Sequence, residues 1–156
     1  MKLSEHFELT EFTRSSLGLL NQPPADVIPL LQQFCERILE PLRVHVSRPV
    51  VITSGYRSTE LNRKVGGVSD SYHCATSARC AADIQVPGIP LEEVFRWLCE
   101  ESGLLFDKVI LERGKHAGIE GDDCIHIQYS SDGSRRLAFL GPTHGDGGYT
   151  PVEVNA

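Results

Sequence analysis

The segment Pro49-Val50-Val51-Ile52-Thr53-Ser54-Gly55-Tyr56-Arg57-Ser58 joins a run of apolar, mostly β-branched residues directly to a turn. The run predicts a buried strand over residues 49–53, and the following five residues predict a turn. Upstream, apolar residues recur at helical spacing and predict an amphipathic helix that ends near Pro49. They are Val27, Leu30, Leu31, Phe34, Ile38 and Leu42. Downstream, Ser58 is a candidate N-cap for a short helix through Val65.

The rest of the chain alternates predicted strands with one further helix. Strands are predicted over Ala81–Val86, Phe106–Leu111, Cys124–Tyr129 and Arg135–Leu140, and loops over residues 68–80 and 113–121. A second amphipathic helix is expected to begin at Pro90 and to end at Gly103. From about residue 141 the chain predicts an irregular tail. This order indicates a single α+β domain over residues 1–156, with a small, mostly antiparallel sheet flanked by helices.

Composition argues against several classes of protein. The net charge is -6 over 156 residues, without a long basic run, so nucleic acid is not an expected partner. We also expect neither a membrane span nor a standard secretory signal, because no long apolar run is present and the first residues are polar. The chain has five cysteines and no CxxC zinc pair. Cys74 and Cys80 are close enough in sequence for a loop disulfide, which the sequence leaves open.

Three segments offer side chains that bind metals. Asp83 interrupts the apolar run Ala81-Ala82-Asp83-Ile84, and a carboxylate in that position either binds a cation, pairs with an arginine or faces solvent. His126 lies in a predicted strand, where alternation puts it on one face with Gln128. His73 lies in a Ser-rich loop, and each histidine alone is equally compatible with a structural role. Together, two imidazoles and one carboxylate, with a fourth position for water, are suited to a catalytic zinc ion.

Two further side chains suit hydrolysis at such a site. Zinc lowers the pKa of a bound water and polarises a carbonyl, so a nearby carboxylate is needed to move the water's proton to the leaving amine. Asp123, three residues before His126, is the candidate for this role. Arg57 is the candidate for binding the substrate carbonyl or the developing oxyanion. The remaining histidines lack metal-like spacing and are not expected to be ligands; they are His6, His45, His116 and His144.

The chain resembles the zinc D-alanyl-D-alanine carboxypeptidases and related phage endolysin peptidases. These peptidases belong to a wider group that includes lysostaphin-type peptidases and the hedgehog signalling domain. The resemblance extends from the N-terminus to about residue 130. The segments that carry it are Leu3–Phe7, Glu11-Phe12, Leu39–Arg43, Ile52–Ser58, Leu61-Asn62, Val65–Val68, Ser71-Tyr72-His73, Ala81–Ile84 and Cys124–Ile127.

The resemblance implies a site as well as a fold. It implies that zinc is bound by His73, Asp83 and His126 and that Asp123 is the catalytic base. It further implies that Arg57 contacts the substrate or oxyanion, and that Ser71 orients a ligand or contacts the substrate. Nine residues, Cys74 to Ala82, separate the first two ligands, about three more than is usual in the family. We expect a loop insertion that keeps His73 as a ligand.

The function implied is hydrolysis of peptidoglycan stem peptides. The bond cut is either the terminal D-Ala-D-Ala bond or the L-Ala-D-Glu bond, and an arginine that binds a free carboxylate would favour the first; Arg57, Arg63 and Arg79 are candidates. The alternative is a catalytically inactive, zinc-containing module that binds the cell wall or a protein. We expect a monomer that acts in the periplasm or cell wall. With no signal peptide visible, the chain would stay in the cytoplasm until phage-mediated release.

Overall fold

The computed structural model describes residues 1–113, 123–141 and 148–155. Within those residues the strands form one six-stranded sheet in the order β1-β2-β4-β3-β5-β6. Neighbouring strands are antiparallel except for β3 and β5, which are parallel. The strands are β1 (Val51–Ser54), β2 (Arg79–Gln85), β3 (Lys108–Glu112), β4 (Cys124–Ser130), β5 (Leu137–Gly141) and β6 (Thr150–Val152). The predicted α+β class and mostly antiparallel sheet are confirmed.

Five α-helices accompany this sheet in the described residues, and two of them pack against one of its faces. The five helices are α1 (Leu9–Thr13), α2 (Ile28–Phe34), α3 (Glu40–Val46), α4 (Thr59–Lys64) and α5 (Leu91–Glu100). Helix α2 contacts β2, and α5 contacts β3 and β4. The strand residues on that face are apolar and buried, among them Cys80, Ala82, Ile84, Ile125 and Ile127. Because strand side chains alternate, the intervening residues face the opposite side, where they form the floor of a cleft.

The predicted long helix is continuous but changes its winding. Between α2 and α3 the chain forms a π-helical segment over Cys35–Leu39. Pro41, in the first turn of α3, accounts for this segment because it has no backbone N–H and its ring crowds the carbonyl of Arg37. The helix ends at Val46, where Ser47 adopts a left-handed conformation with φ 50°, close to the predicted end at Pro49.

Several boundaries differ from the prediction, and β1, β3 and β5 each begin two residues later than predicted. Strand β2 begins at Arg79, inside the predicted loop over residues 68–80. The tail is not irregular throughout, because residues 150–152 form β6 on the outer edge of β5. An edge strand tolerates Pro151, and Val152 packs partly against the core, so the segment gains both pairing and burial. The predicted loop after Arg113 lies outside the described residues, as do His116 and His144.

Cys74 and Cys80 do not form a disulfide in the structure. Cys80 lies on the buried face of β2, whereas Cys74 lies in the preceding loop, and both are free thiols. Among the described residues no helix is long and apolar enough to cross a membrane.

Candidate metal centre

The pairing of strands places two of the predicted ligands side by side. Asp83 on β2 is directly opposite His126 on β4, which is in turn opposite Ile110 on β3. Ser54 pairs with Asp83 from the other side. These residues form one row across the sheet, and antiparallel neighbours in such a row have Cβ atoms roughly 4.5–5.5 Å apart. Asp83 and His126 therefore meet although 43 positions separate them along the chain.

The third ligand, His73, is held by the turn that follows β1. Its Nδ1 lies 2.7 Å from the carbonyl oxygen of Gly55, and its own carbonyl accepts a hydrogen bond from Arg57 N at 2.9 Å. Gly55 is required here for a close approach, because a Cβ would lie 2.6 Å from Phe12 Cα. The turn predicted over Ser54–Ser58 therefore orients His73 over the sheet.

The three side chains converge on one point. His126 Nδ1 lies 2.8 Å, and His73 Nε2 3.3 Å, from Asp83 Oδ1. The possible ligand atoms all lie within 4.8 Å of one another. All three residues are buried, with exposed fractions of 3% for His73, 5% for Asp83 and 8% for His126. A tetrahedral ion with bonds of about 2.0–2.1 Å has edges of roughly 3.3 Å between ligand atoms, so the spacing fits a small cation.

The protonation of His73 gives a chemical reason for a cation. A carbonyl oxygen only accepts, so Nδ1 of His73 donates to Gly55 and carries the ring hydrogen. Burial lowers the pKa of the His73 imidazole, which is therefore neutral with a lone pair on Nε2. That buried Nε2 has no hydrogen-bond partner, although it lies next to the carboxylate of Asp83. Two acceptors facing each other in a buried site are expected to need a cation between them.

Asp83 is ionised at neutral pH. Burial is the largest single influence and acts to raise the pKa of this carboxyl, but the hydrogen bond with His126 and the other interactions with the two histidines together outweigh burial and hold the pKa well below its ordinary value. Arg57 adds a positive charge, with Nη2 3.8 Å from Asp83 Oδ2. The site thus presents an ionised carboxylate and a neutral imidazole to one point, which is the donor set that Zn²⁺ accepts.

Arg57 is fixed beside this cluster by neutral partners. Its Nε donates to Ser54 Oγ at 3.3 Å, and its Nη1 donates to Asn62 Oδ1 at 3.2 Å. Asn62 also donates to the carbonyl of Val68 at 2.9 Å and so ties the guanidinium to the rim of the cleft. A side chain at Gly67 would collide with the Asn62 amide, so glycine is required there.

The long segment between His73 and Asp83 forms a turn beside the site. Thr76 N donates to the carbonyl of Arg79 at 2.9 Å, and the carbonyl of Ala78 accepts from Ser131 N at 2.9 Å. The added residues therefore pack against the chain after β4, and His73 and Asp83 remain in contact. The expected insertion that keeps His73 beside Asp83 agrees with this geometry.

A family model described as peptidase M15 matches residues 5–116, which is more than half of the chain. The chain belongs to the peptidase M15 family. Membership implies a metallopeptidase, and the buried His73, Asp83 and His126 form its possible metal site. The matched range ends before His126, so the sheet, and not the family match, brings that residue into the cluster. No curated protein matched the chain.

The M15 site opens into a cleft of about 440 Å³. Ser71 lines it, and its Oγ accepts a hydrogen bond from His73 N at 3.2 Å. Among the described residues the lining includes Glu112 but not Asp123. Asp123 directly precedes β4, and its carbonyl accepts from Gln85 Nε2 at 2.7 Å. Glu112 is 4% exposed and shares a strand face with Ile110, so it is a second carboxylate near the cluster that the sequence argument missed.

Gln128 was also missed as a functional residue. Its Nε2 lies 3.2 Å from Nε2 of His126, while its Oε1 is buried and has no hydrogen-bond partner. In the metal-free site Nδ1 of His126 donates to Asp83 Oδ1. In the other tautomer, exchanging the two ends of the Gln128 amide would let Oε1 accept from Nε2–H of His126, and Nδ1 would then be able to bind an ion in place of its hydrogen. Alternation had placed Gln128 on the face of His126, and that was the available signal.

Two arginine candidates, and two of the histidines that were not expected to be ligands, lie away from the cluster. Arg63 is exposed on α4, and the Arg79 guanidinium lies 4.9 Å from the centre of the Tyr72 ring, so neither lines the cleft. His6 bonds to Glu40, and His45 stacks on Trp97 with ring centres 4.0 Å apart.

Proposed function

We propose that the chain is a zinc-dependent peptidase that hydrolyses peptidoglycan stem peptides, at the D-Ala-D-Ala bond or the L-Ala-D-Glu bond. The observation that carries the proposal is the buried His73 Nε2, which directs a lone pair at the ionised Asp83. Membership of the M15 family supports a peptide as substrate.

Zinc fits the donor set better than a hard cation does. His73 and His126 offer imidazole nitrogens, and Asp83 offers a carboxylate oxygen. Mg²⁺ and Ca²⁺ favour sites made only of oxygen atoms, whereas zinc accepts three such protein ligands and a water. Zinc bound there would lower the pKa of that water toward neutrality and polarise the scissile carbonyl.

Arg57 would bind the oxygen on which negative charge develops. Its guanidinium is already oriented by Ser54 and Asn62, so little reorganisation is needed when substrate binds. Ser71 lines the cleft and bonds to the backbone of His73, so it would orient this ligand and contact the peptide.

Asp123 would act as the general base. It would accept a proton from the attacking water and transfer it to the amine that leaves, so that one C–N bond is exchanged for one C–O bond. Its position just before β4 keeps it within three residues of His126. Glu112, buried in the cleft floor, is the competing carboxylate.

Two matched variants test this assignment. We expect Asp123→Ala to lower turnover of muropeptides by about 10²–10⁴-fold while about one zinc per chain is retained, and Glu112→Gln to retain turnover. Zinc content is measured by mass spectrometry and turnover by chromatography of the products. Unchanged turnover in Asp123→Ala would refute its role, and loss in Glu112→Gln alone would transfer that role to Glu112.

The alternative function, an inactive zinc-containing module, rested on the long segment between His73 and Asp83. The 3.3 Å between His73 Nε2 and Asp83 Oδ1 supports the peptidase over this alternative, because the long segment does not keep the two side chains apart. We further propose that the enzyme acts on the periplasmic or cell-wall side, as a monomer, and is released through a phage holin. Export by the ordinary secretion route in uninfected cells would contradict release by a holin.

A further inference from the structure

A lysine lies on the floor of the cleft beside the metal centre. Among the described residues that line this cleft, Arg57 and Lys108 carry a full positive charge. Lys108 is the first residue of β3, and sequence patterns gave no reason to select it. The two cations differ in how they are held by the protein.

Arg57 is already engaged, whereas Lys108 is not. The guanidinium of Arg57 bonds to Ser54 and Asn62 and faces Asp83. Within the described part of the chain, the ammonium of Lys108 has no hydrogen-bond acceptor and no ion pair. It lies 5.8 Å from the centre of the Phe139 ring, and it acts on the neighbouring Asp107 only through its charge. The adjacent carboxylate of Asp107 is bound by Arg135 through both oxygens. A half-buried ammonium is thus available to an anion that enters the cleft.

The register of the sheet fixes where that anion would lie. Ile110 is opposite His126, and Lys108 is opposite Gln128, so Lys108 is two residues from the row that carries the metal ligands. Two residues of a strand span roughly 6.4–6.8 Å. A carboxylate one residue beyond the scissile carbonyl lies at most about 3.6 Å along the peptide, and the flexible lysine side chain can cover the remainder.

We propose that Lys108 binds the carboxylate of the residue that leaves with the amine of the cleaved bond. This inference rests on the proposed peptidase function and narrows its substrates to peptides with a free carboxylate at that residue. Both of the bonds proposed above meet the condition. In D-Ala-D-Ala the carboxylate is the chain terminus, and in L-Ala-D-Glu it is the α-carboxylate of a γ-linked D-Glu.

Paired substrates and variants test the subsite in the full-length, zinc-loaded protein. The first pair is acetyl-L-Lys-D-Ala-D-Ala and its C-terminal amide. The second is L-Ala-γ-D-Glu-L-Lys with a free or amidated α-carboxylate on D-Glu. Each pair is given to four proteins: the wild type, Lys108→Met, Lys108→Arg and Lys64→Met. Lys108→Met keeps the apolar stem of the side chain, and Lys108→Arg keeps its charge. Lys64→Met is a control that removes an exposed lysine on α4.

We expect the wild type to cleave the free acid of one pair about 10–100-fold faster than its amide in kcat/KM, mainly through KM, as loss of a charge-assisted hydrogen bond implies. Lys108→Met should lose most of this preference, because its kcat/KM falls far more on the free acid than on the amide, while Lys108→Arg and Lys64→Met keep the preference. The pair that is cleaved identifies the source of the carboxylate. Equal cleavage of acid and amide by the wild type, or a preference that survives in Lys108→Met, would overturn the inference and leave the peptidase intact. No cleavage of any substrate would overturn both.

Discussion

Zinc should stabilise the fold, and His73→Ala should abolish that stabilisation. The possible ligands come from the loop before β2, from β2 and from β4, so a bound ion would connect one loop to two strands. In the metal-free state the lone pair of His73 Nε2 faces the ionised Asp83, and a cation removes that repulsion. Because the unfolded chain has no such preformed site, binding energy appears as stability.

The size of the effect follows from mass action and chain length. At free zinc about 1,000 times the dissociation constant, one site adds about 4.1 kcal/mol. For 156 residues the entropy of unfolding is about 0.33 kcal/mol/K, at about 2.1 cal/mol/K per residue. The melting temperature should therefore rise by about 12 °C, and by about 8 °C at 100 times the dissociation constant.

The assay compares melting curves after treatment with a chelator and after zinc is restored, followed by circular dichroism. His45→Ala is the matched control, since His45 is exposed and stacks on Trp97 away from the cleft. It should keep the zinc-induced rise, whereas His73→Ala should show little or none. An equal rise in His73→Ala would mean that zinc binds elsewhere, such as at the cysteines, and would refute the ligand assignment.

Two further variants test the surroundings of the site and the fold. Gln128→Leu should weaken zinc binding about 10–100-fold, measured in competition with a chelator, because His126 loses the partner that orients its ring. Gln128→Glu can still accept a hydrogen bond from His126 and should bind zinc with the wild-type affinity. Equal zinc affinities of Gln128→Leu and the wild type would disprove this role of Gln128. Asp107→Asn should lower Tm by roughly 3–12 °C at pH 7, because the buried carboxylate loses its paired hydrogen bonds with Arg135. Burial acts to raise the pKa of Asp107, but Arg135 outweighs it and lowers the pKa, so this stability is present above about pH 4 and is lost as pH falls through the lowered pKa. A difference in Tm that stays constant from pH 7 to pH 2 would contradict the assignment.

Local patterns in the sequence predicted those features that depend on neighbouring residues. Alternation in β4 indicated that His126 shares a face with Gln128, and the interruption of an apolar run selected Asp83. Ser58 caps α4 as expected and accepts a hydrogen bond from Leu61 N at 3.2 Å. The spacing of apolar residues located the long helix, although not its π-helical segment. Each of these features is determined by residues within about one turn or one strand.

Features that depend on strand order could not be predicted in the same way. Glu112 and Lys108 approach the site because their strand, β3, lies between β4 and β5 and pairs in parallel with β5. That arrangement joins segments far apart in the chain, and periodicity carries no information about it. Strand β6 was missed for a similar reason, since its pairing partner, and not its own composition, makes it a strand.

The separation of His73 and Asp83 along the chain is a weak constraint on the site, whereas the register of β2 against β4 is a strong one. Three additional residues in a flexible loop increase the entropy cost of closing it by only about 0.4 kcal/mol. The turn around Thr76 and Ala78 accommodates them without moving the ligand atoms apart. A shift of one residue in the register would instead turn Asp83 toward the helices and expose Ile84. The buried apolar face of β2 therefore determines where Asp83 meets His126 in the possible metal site, and the length of the preceding loop has little influence on that pairing.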